Sequence, residues 1–253
     1  MKKIFFLKSP HYVDEITNPI PSNDLIPQWW RDGESFINKN DYSLNIKNKK
    51  DRAPGMKSCI PFLDAMGAGY LLTTWADLEI TENNYGKIKY RYVKKDKDGF
   101  WIEDDSMKNY DLIGERTGPI GHTIPRPHEH SDNHFTWKSK WGFKMPKGWS
   151  MIVTHPMNQY DLPFFTLSGI IDSDRFTPNG NMPFFLRKGW TGVIEKGTPF
   201  AQLIPVKRSS WVAKITNGNF NSEYVNKMAR AVQYGFYRSV LWVPKKYKVD
   251  NDK

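Results

Sequence analysis

The sequence predicts a mainly β protein, a single sandwich or barrel with one C-terminal amphipathic helix. Three observations predict it. Residues 141–206 are dense in short apolar and aromatic runs. Pro-Lys-Gly, Asn-Gly-Asn, Arg-Lys-Gly and Glu-Lys-Gly break those runs, and β-rich runs with turn chemistry roughly every 8–12 residues indicate hairpin connections without crossover helices. Aromatic residues make up 15% of the 253, ten of them tryptophan; wide flat rings suit sheet faces and also line ligand grooves. At this length the chain can bury a sizeable core. The expected division is an extended N-terminal segment over 1–56 packing on the core, a β domain over 57–216, and a C-terminal helix with a basic tail over 217–253.

Residues 3–8 are an edge-strand candidate. Pro19, Pro21 and Pro27 then restrict the backbone to extended shapes, and the following Trp29 and Trp30 plug onto the core. Residues 31–56 are polar and rich in Lys and Asn, a loop or short helix. Beyond Met56 the chain turns apolar, with strands expected over 58–62 and 70–74; Gly67 and Gly69 between them allow a tight turn or close backbone approach. Residues 85–93 and 99–103 read as a hairpin with one wet face, and 104–121 as polar loop. In the central block strands fall at 151–154, 164–171, 182–186, 191–194 and 200–205, with a further strand candidate at 211–215. The one helix is 222–237: Asn221 or Ser222 caps it, Glu223 suits its first turn, and Tyr224, Met228, Val232 and Phe236 recur at fourfold spacing.

The net charge is +10. Lysines gather at 47–52, 94–97 and 245–248 in polar contexts, which is how a solvated surface reads. No zinc-finger, helix-turn-helix or RNP-type pattern accompanies them, so no specific nucleic-acid motif is present. One cysteine, Cys59, excludes an internal disulfide. No uninterrupted apolar run approaches the length of a membrane span, and the apolar patch at 4–7 is too short for a signal peptide. The expectation is a cytoplasmic protein without a membrane partner.

The segment GHTIPRPHEHSDNHF holds His122, His128, His130 and His134, and His155 lies further on in VTHPMN. Histidines two apart on an extended strand point the same way, and imidazole is the commonest metal ligand. Gly121, His128-Glu129-His130, His134 and Gly142, followed by Pro146-Lys147-Gly148, His155 and Asn158, resemble the two metal motifs of the cupin family. His134 stands where that family has its Glu. The resemblance implies a jelly-roll and a divalent metal, iron or zinc in type, on His128, His130 and His134 or His155. The same residues also read as a polar loop with clustered histidines.

Three further stretches, GAGYLL from Gly67, SGIIDSD from Ser168 to Asp174, and IEKGTPFAQLIPV from Ile194 to Val206, resemble motifs of the dUTPase and dCTP deaminase family in the same order. The resemblance implies a dUTPase-like β core, with Asp172 as the catalytic general base that activates water and Gln202 helping to hold phosphates. Thr154-His155-Pro156 occupies the place of the family's Arg-Ser-Gly motif, and Arg175 displaces its Tyr. A plain reading of the same residues is a bulge and turn at Gly169 and Asp172, and a turn at Lys196-Gly197-Thr198-Pro199 before a buried strand.

IPQWW, CIPFLDAMGAGY, MPKGWSMIVTHPMN, LSGIIDSDRF, NMPFF and IEKGTPFAQLIPVKR, closed by a helix, resemble together an uncharacterised family of bacteriophage and bacterial proteins. That resemblance implies a phage or bacterial genome and the (host) cytoplasm. The leading expectation is a protein that binds a small anionic ligand such as a nucleotide beside Asp172, Arg175 and Gln202, with Trp149, Phe164 and Trp190 as aromatic walls and Lys188 and Arg208 supplying charge. A sugar is the alternative ligand. A cupin-like metal enzyme, a nucleotide hydrolase or deaminase, and a virion structural or assembly protein are the competing readings; a dUTPase-like core would lean towards a homo-oligomer.

Overall fold

The computed structural model describes residues 2–10, 16–38, 52–83, 87–107, 109–116, 123–177, 181–215 and 237–250. The chain is mainly β. Its strands are β1 (Phe5–Lys8), β2 (Ile20–Pro21), β3 (Phe36–Asn38), β4 (Arg52–Pro54), β5 (Tyr70–Thr73), β6 (Asp77–Glu82), β7 (Ile88–Lys95), β8 (Trp101–Glu103), β9 (Ile113–Glu115), β10 (His130–Lys138), β11 (Trp141–Lys144), β12 (Trp149–Thr154), β13 (Phe164–Thr166), β14 (Gly169–Ile171), β15 (Asn181–Arg187), β16 (Gly192–Ile194) and β17 (Pro199–Lys207). Two short α-helices, α1 (Gln28–Asp32) and α2 (Ile60–Met66), complete the described regular elements together with a few single turns.

Three main sheets carry the architecture. One runs β13-β15-β10-β9, one β14-β12-β17-β5-β2, and one β16-β6-β7-β8; β1-β11 and β3-β4 are two-stranded ribbons. All pairings are antiparallel. None of the described sheets closes into a barrel.

The core forms where the first two sheets face each other. Trp137 on β10 is fully buried and stacks on Phe184 of β15 and Phe200 of β17, with centroids 4.0 and 4.9 Å apart. Burying each such ring contributes about 2 kcal/mol. Its indole N–H donates to Thr166 Oγ1 at 3.1 Å, and that hydroxyl donates onward to the Phe200 carbonyl, so both of these buried donors are satisfied. The third sheet joins the same core through Leu78 and Ile80, and Tyr90 meets Phe135 edge-on.

Gly69 explains how α2 leads into β5. Its φ is +71°, and a Cβ there would lie 1.9 Å from the Leu203 carbonyl oxygen, so only glycine admits this approach of β5 to β17.

Several expectations are corrected. Residues 58–62, expected as a strand, lead into α2, where Pro61 sits in the first turn with its missing N–H costing nothing. The expected strand over 164–171 is two strands in different sheets, β13 and β14, with Leu167 and Ser168 carrying the chain across. The polar stretch 104–121 contains β9, and the histidine-rich segment runs into β10. Residues 211–215 form no strand and are exposed, Ile215 to 99%. The helix expected over 222–237 lies outside the described residues except for Tyr237, which begins a π-helical turn, Tyr237–Leu241. Past that turn the chain returns to the core: Trp242 donates to Asp64, and the Tyr70 hydroxyl donates to the Lys248 carbonyl. No described helix is long and apolar enough to cross a membrane.

Candidate functional site

The antiparallel register of β12 with β14 and β17 decides which site residues meet. Met151 pairs with Ile171, so Asp172 lies abreast of Ser150, and Trp149 pairs with Lys207, so Arg208 arrives at the same end. Ser150 Oγ donates to Asp172 Oδ1 at 2.7 Å. Arg208 stands 3.2 Å from that oxygen and grips both carboxylate oxygens of Asp174. The Gly148 N–H donates to Asp174 Oδ2 at 2.7 Å. The Ser150 hydrogen bond, helped by the Arg208 charge, holds the Asp172 carboxyl below the usual carboxylate range. The Arg208 hydrogen bond, then that from Gly148, holds Asp174 far below it.

This arrangement is a clasp across the end of the sheet. Two carboxylates face one guanidinium, so the cluster is net negative and opposes an anion. A general base working near neutrality needs a proton affinity raised towards the working pH; here the surroundings of Asp172 lower it. Arg175 is exposed, and its backbone N–H closes a turn onto the Asp172 carbonyl at 2.9 Å. Trp149 packs half-buried on the core with the Lys2 ammonium 4.4 Å above its ring.

Gln202 is at the other end of the same strands, opposite Thr154, and five residues of strand separate it from the clasp by roughly 17 Å. Its side chain is fully buried. Nε2 donates to the carbonyls of Ala65 and Ala68 at 2.9 and 2.7 Å, and Oε1 accepts from the Met157 N–H at 2.8 Å. The amide thus ties α2 and the loop after β12 to the central strand, and its hydrogen-bonding capacity is taken by backbone. Phe164 is a core residue. Lys188 is exposed, its N–H bonded to the Glu129 carbonyl, and Trp190 packs half-buried against the core ahead of β16. These residues do not gather around Asp172.

The histidines have separate surroundings. His128 is exposed in a turn, and His130 turns Nδ1 to the His128 carbonyl at 2.8 Å. His134 is buried and stacked on Phe185, centroids 4.9 Å apart, and neither ring nitrogen has a hydrogen-bonding partner among the described residues. Burial, then the nearby Arg116, lowers its pKa. His155 donates through Nε2 to the Gln159 carbonyl and accepts the Thr166 N–H at Nδ1; burial lowers its pKa despite the first bond. Among the described residues no group of three or more His, Cys, Asp or Glu could hold a metal ion. His122 lies outside them.

A different site lies where the β1-β11 ribbon meets the ends of β10 and β15. Lys138 ends β10 opposite Asn181, and Lys140 follows in the two-residue link to β11 with φ +60°, a left-handed conformation uncommon for a non-glycine residue. Both line a cleft of about 380 Å³ with Leu7, Ser9, Thr177 and Asn181. Lys138 Nζ is 2.7 Å from Asp111 Oδ2, and Lys140 pairs with Oδ1 of the same carboxylate. Burial opposes ionisation of Asp111, but the hydrogen bonds and charges of Lys138 and Lys140 outweigh it and hold its carboxyl below the usual range. Two ammonium groups share this one carboxylate.

No protein-family model matches the chain, and no curated protein matches it. Solved structures of phage dUTPases do. A dUTPase mutant of Staphylococcus bacteriophage 80alpha is 9% identical over 87% of this chain and 100% of that one, with a TM-score of 0.35. Two structures of the dUTPase from phage phi11 of S. aureus, one with a structural Mg(II) ion, are each 13% identical over 44% of this chain. They are covered to 99% and 100%, with TM-scores of 0.26 and 0.27. Likeness at TM-scores this low decides neither activity nor ligand.

Lys138, Lys140 and Asp111 were not among the residues expected from the sequence. A signal is present in WKSKW, residues 137–141, where two lysines interrupt a run that otherwise belongs to the core. Asp111 carries none, being 27 residues from Lys138 and brought there by the β9–β10 pairing.

Proposed function

We propose that this protein binds a small phosphate-bearing anion, a nucleotide being the favoured kind, in the cleft of Lys138 and Lys140. The observation that carries the reading is the pair of ammonium groups on a cleft whose other lining residues are uncharged. The hydroxyls of Ser9 and Thr177 and the amide of Asn181 are of the type that donates to phosphate oxygens. Ligand clefts begin at roughly 300 Å³, so a volume of about 380 Å³ suits a small ligand. The net charge of +10 favours the approach of anions. The reading is of binding without a committed reaction, because the surroundings of Asp172 weaken it as a base. It keeps the cytoplasmic location expected from the sequence.

The test is a thermal-shift series with orthophosphate, nucleoside mono-, di- and triphosphates and a neutral sugar, on the wild type and on Lys138→Ala plus Lys140→Ala. The phosphate compounds should raise Tm of the wild type increasingly with concentration, as RT ln(1 + [L]/Kd), the sugar should not, and the double variant should lose the response. An unchanged response in the double variant, or no response in the wild type, overturns the reading.

A further inference from the structure

We infer that the end of the molecule where β11 passes into β12 and β17 runs out is a docking face for an anionic lipid surface. Phe176, Trp211, Val212 and Ile215 enter the headgroup layer, and a basic rim meets the lipid phosphates. The inference goes beyond the lysine cleft and does not rest on it. The expectation of no membrane partner came from the lack of a spanning run, which a protein docked on the surface does not need.

Hydrogen bonds knit three stretches of chain together at this end. The Met145 N–H donates to the Ser173 carbonyl at 3.1 Å, the Gly148 N–H to Asp174 Oδ2, and the Arg208 N–H to the Gly148 carbonyl at 2.9 Å. From this knot the chain presents apolar side chains to water: Phe176 is 63% exposed, Trp211 89% and Val212 90%, with Ile215 beyond them. An aromatic side chain carries about 150–250 Å², so Trp211 and Phe176 alone leave roughly 300 Å² of ring in water. The aliphatic pair brings the exposed apolar surface into the range of the largest patch on an ordinary monomer, roughly 300–600 Å², which often marks an interaction site. The lysine cleft is lined by none of the four. They stand on a turn and on a run, residues 209–215, that is exposed throughout.

Charge selects the partner. Residues 141–150, 169–177 and 203–215 build this end, and they hold six cations against two acids. Both acids, Asp172 and Asp174, are held by Arg208, so the exposed Lys147, Arg175, Lys207 and Lys214 give the face its sign. A second copy would set the same positive rim against it, and like charges disfavour that pairing. An anionic leaflet attracts each such cation, with about a fivefold gain in affinity apiece. Shape separates a bilayer from an acidic protein. A protein interface needs a complementary surface packed about its core. Projecting tryptophan suits the headgroup layer instead, and lysine stems reach past apolar surface to the phosphates.

The experiment is co-sedimentation at low salt with vesicles of phosphatidylcholine alone, and of phosphatidylcholine with phosphatidylserine in a three-to-one ratio. It compares wild type, Trp211→Ala, and Lys207→Ala plus Lys214→Ala, all at exposed positions outside the core. Bromine-labelled lipid reports ring insertion by quenching tryptophan fluorescence. The wild type should bind the serine-containing vesicles and not the neutral ones, and should be released as salt rises. Trp211→Ala should bind at least about tenfold more weakly and lose the bromine quenching. The double lysine variant should also lose at least about tenfold. No binding by the wild type overturns the inference. So does binding that Trp211→Ala leaves unchanged, which is adhesion by the overall charge of +10. A wild-type dimer that Trp211→Ala dissociates likewise overturns it and makes a second copy the occupant.

Discussion

Arg208 grips Asp174 with both terminal nitrogens, across 34 residues of sequence. Asp174 is nearly buried, its side chain 5% exposed, and Asp172 shares the same guanidinium. Both carboxyls titrate lower in the folded chain than in the unfolded one. Their contribution to stability is therefore fully present above the unfolded carboxylate value, about 4, and is lost as pH falls through the folded values. Arg208→Gln should lower Tm at pH 6, and the gap to wild type should close as pH approaches the acid range. A gap independent of pH would contradict the clasp. Arg208→Lys should not restore Tm, because one ammonium cannot reproduce a two-pronged contact.

Gln202 acts through stability. Gln202→Leu leaves the Met157 N–H without its partner, while the Ala65 and Ala68 carbonyls each lose one donor and keep another, the Ala68 N–H and the Ser22 hydroxyl; a buried unmet group costs about 1–3 kcal/mol. Chemical denaturation should show a loss of about 1–3 kcal/mol. Gln202→Glu should be at least as damaging, since it sets a carboxylate against two carbonyl oxygens. A variant of wild-type stability would return Gln202 to the list of ligand-binding candidates.

The two glycines Gly69 and Gly99 separate backbone strain from collision. Their φ angles are +71° and +86°, but a Cβ on Gly99 meets nothing within 4 Å, while one on Gly69 strikes the Leu203 carbonyl. Gly99→Ala should cost only the left-handed penalty, about 1–2 kcal/mol. Gly69→Ala should cost clearly more, since β5 must move from β17. Equal losses in urea melts would contradict the close approach.

His134 is a buried base whose nitrogens have no described partner, and its pKa lies below the ordinary value of about 6.5 in the fold. The unfolded chain therefore takes up the proton first, and stability falls as pH drops below that value. His134→Phe keeps the stack on Phe185 and removes both unmet nitrogens. It should raise Tm, and by more at pH 5 than at pH 8. A metal ligand would behave oppositely, the variant losing stability in proportion to metal.

The strands of the central block were legible because their apolar runs and turn residues coincide with β12, β15, β16 and β17. β10 was not, because its first half is polar, carries a register shift between His130 and His134, and only later becomes buried. α2 was misread because Ile60, Pro61 and Phe62 have strand-like composition, whereas Pro61 is also suited to a helix start. At the site, the nearness of Asp172 and Arg208 follows from strand register that no local motif reports. Gln202 and Asp172, joined by the resemblance to the dUTPase motifs, are separated by five residues of β17. Lys138, Lys140 and Asp111 come from β10, a link and the approach to β9, so that only the folded topology assembles them.

The most direct measurement of the central claim is amide chemical-shift mapping on addition of a nucleoside monophosphate at low salt. Shifts should concentrate at Ser9, Lys138, Lys140, Gly142, Thr177 and Asn181, around the lysine cleft, and fade as salt is raised. Shifts gathered instead at Gly148, Ser150, Asp172 and Arg208, or no shifts at all, would contradict it.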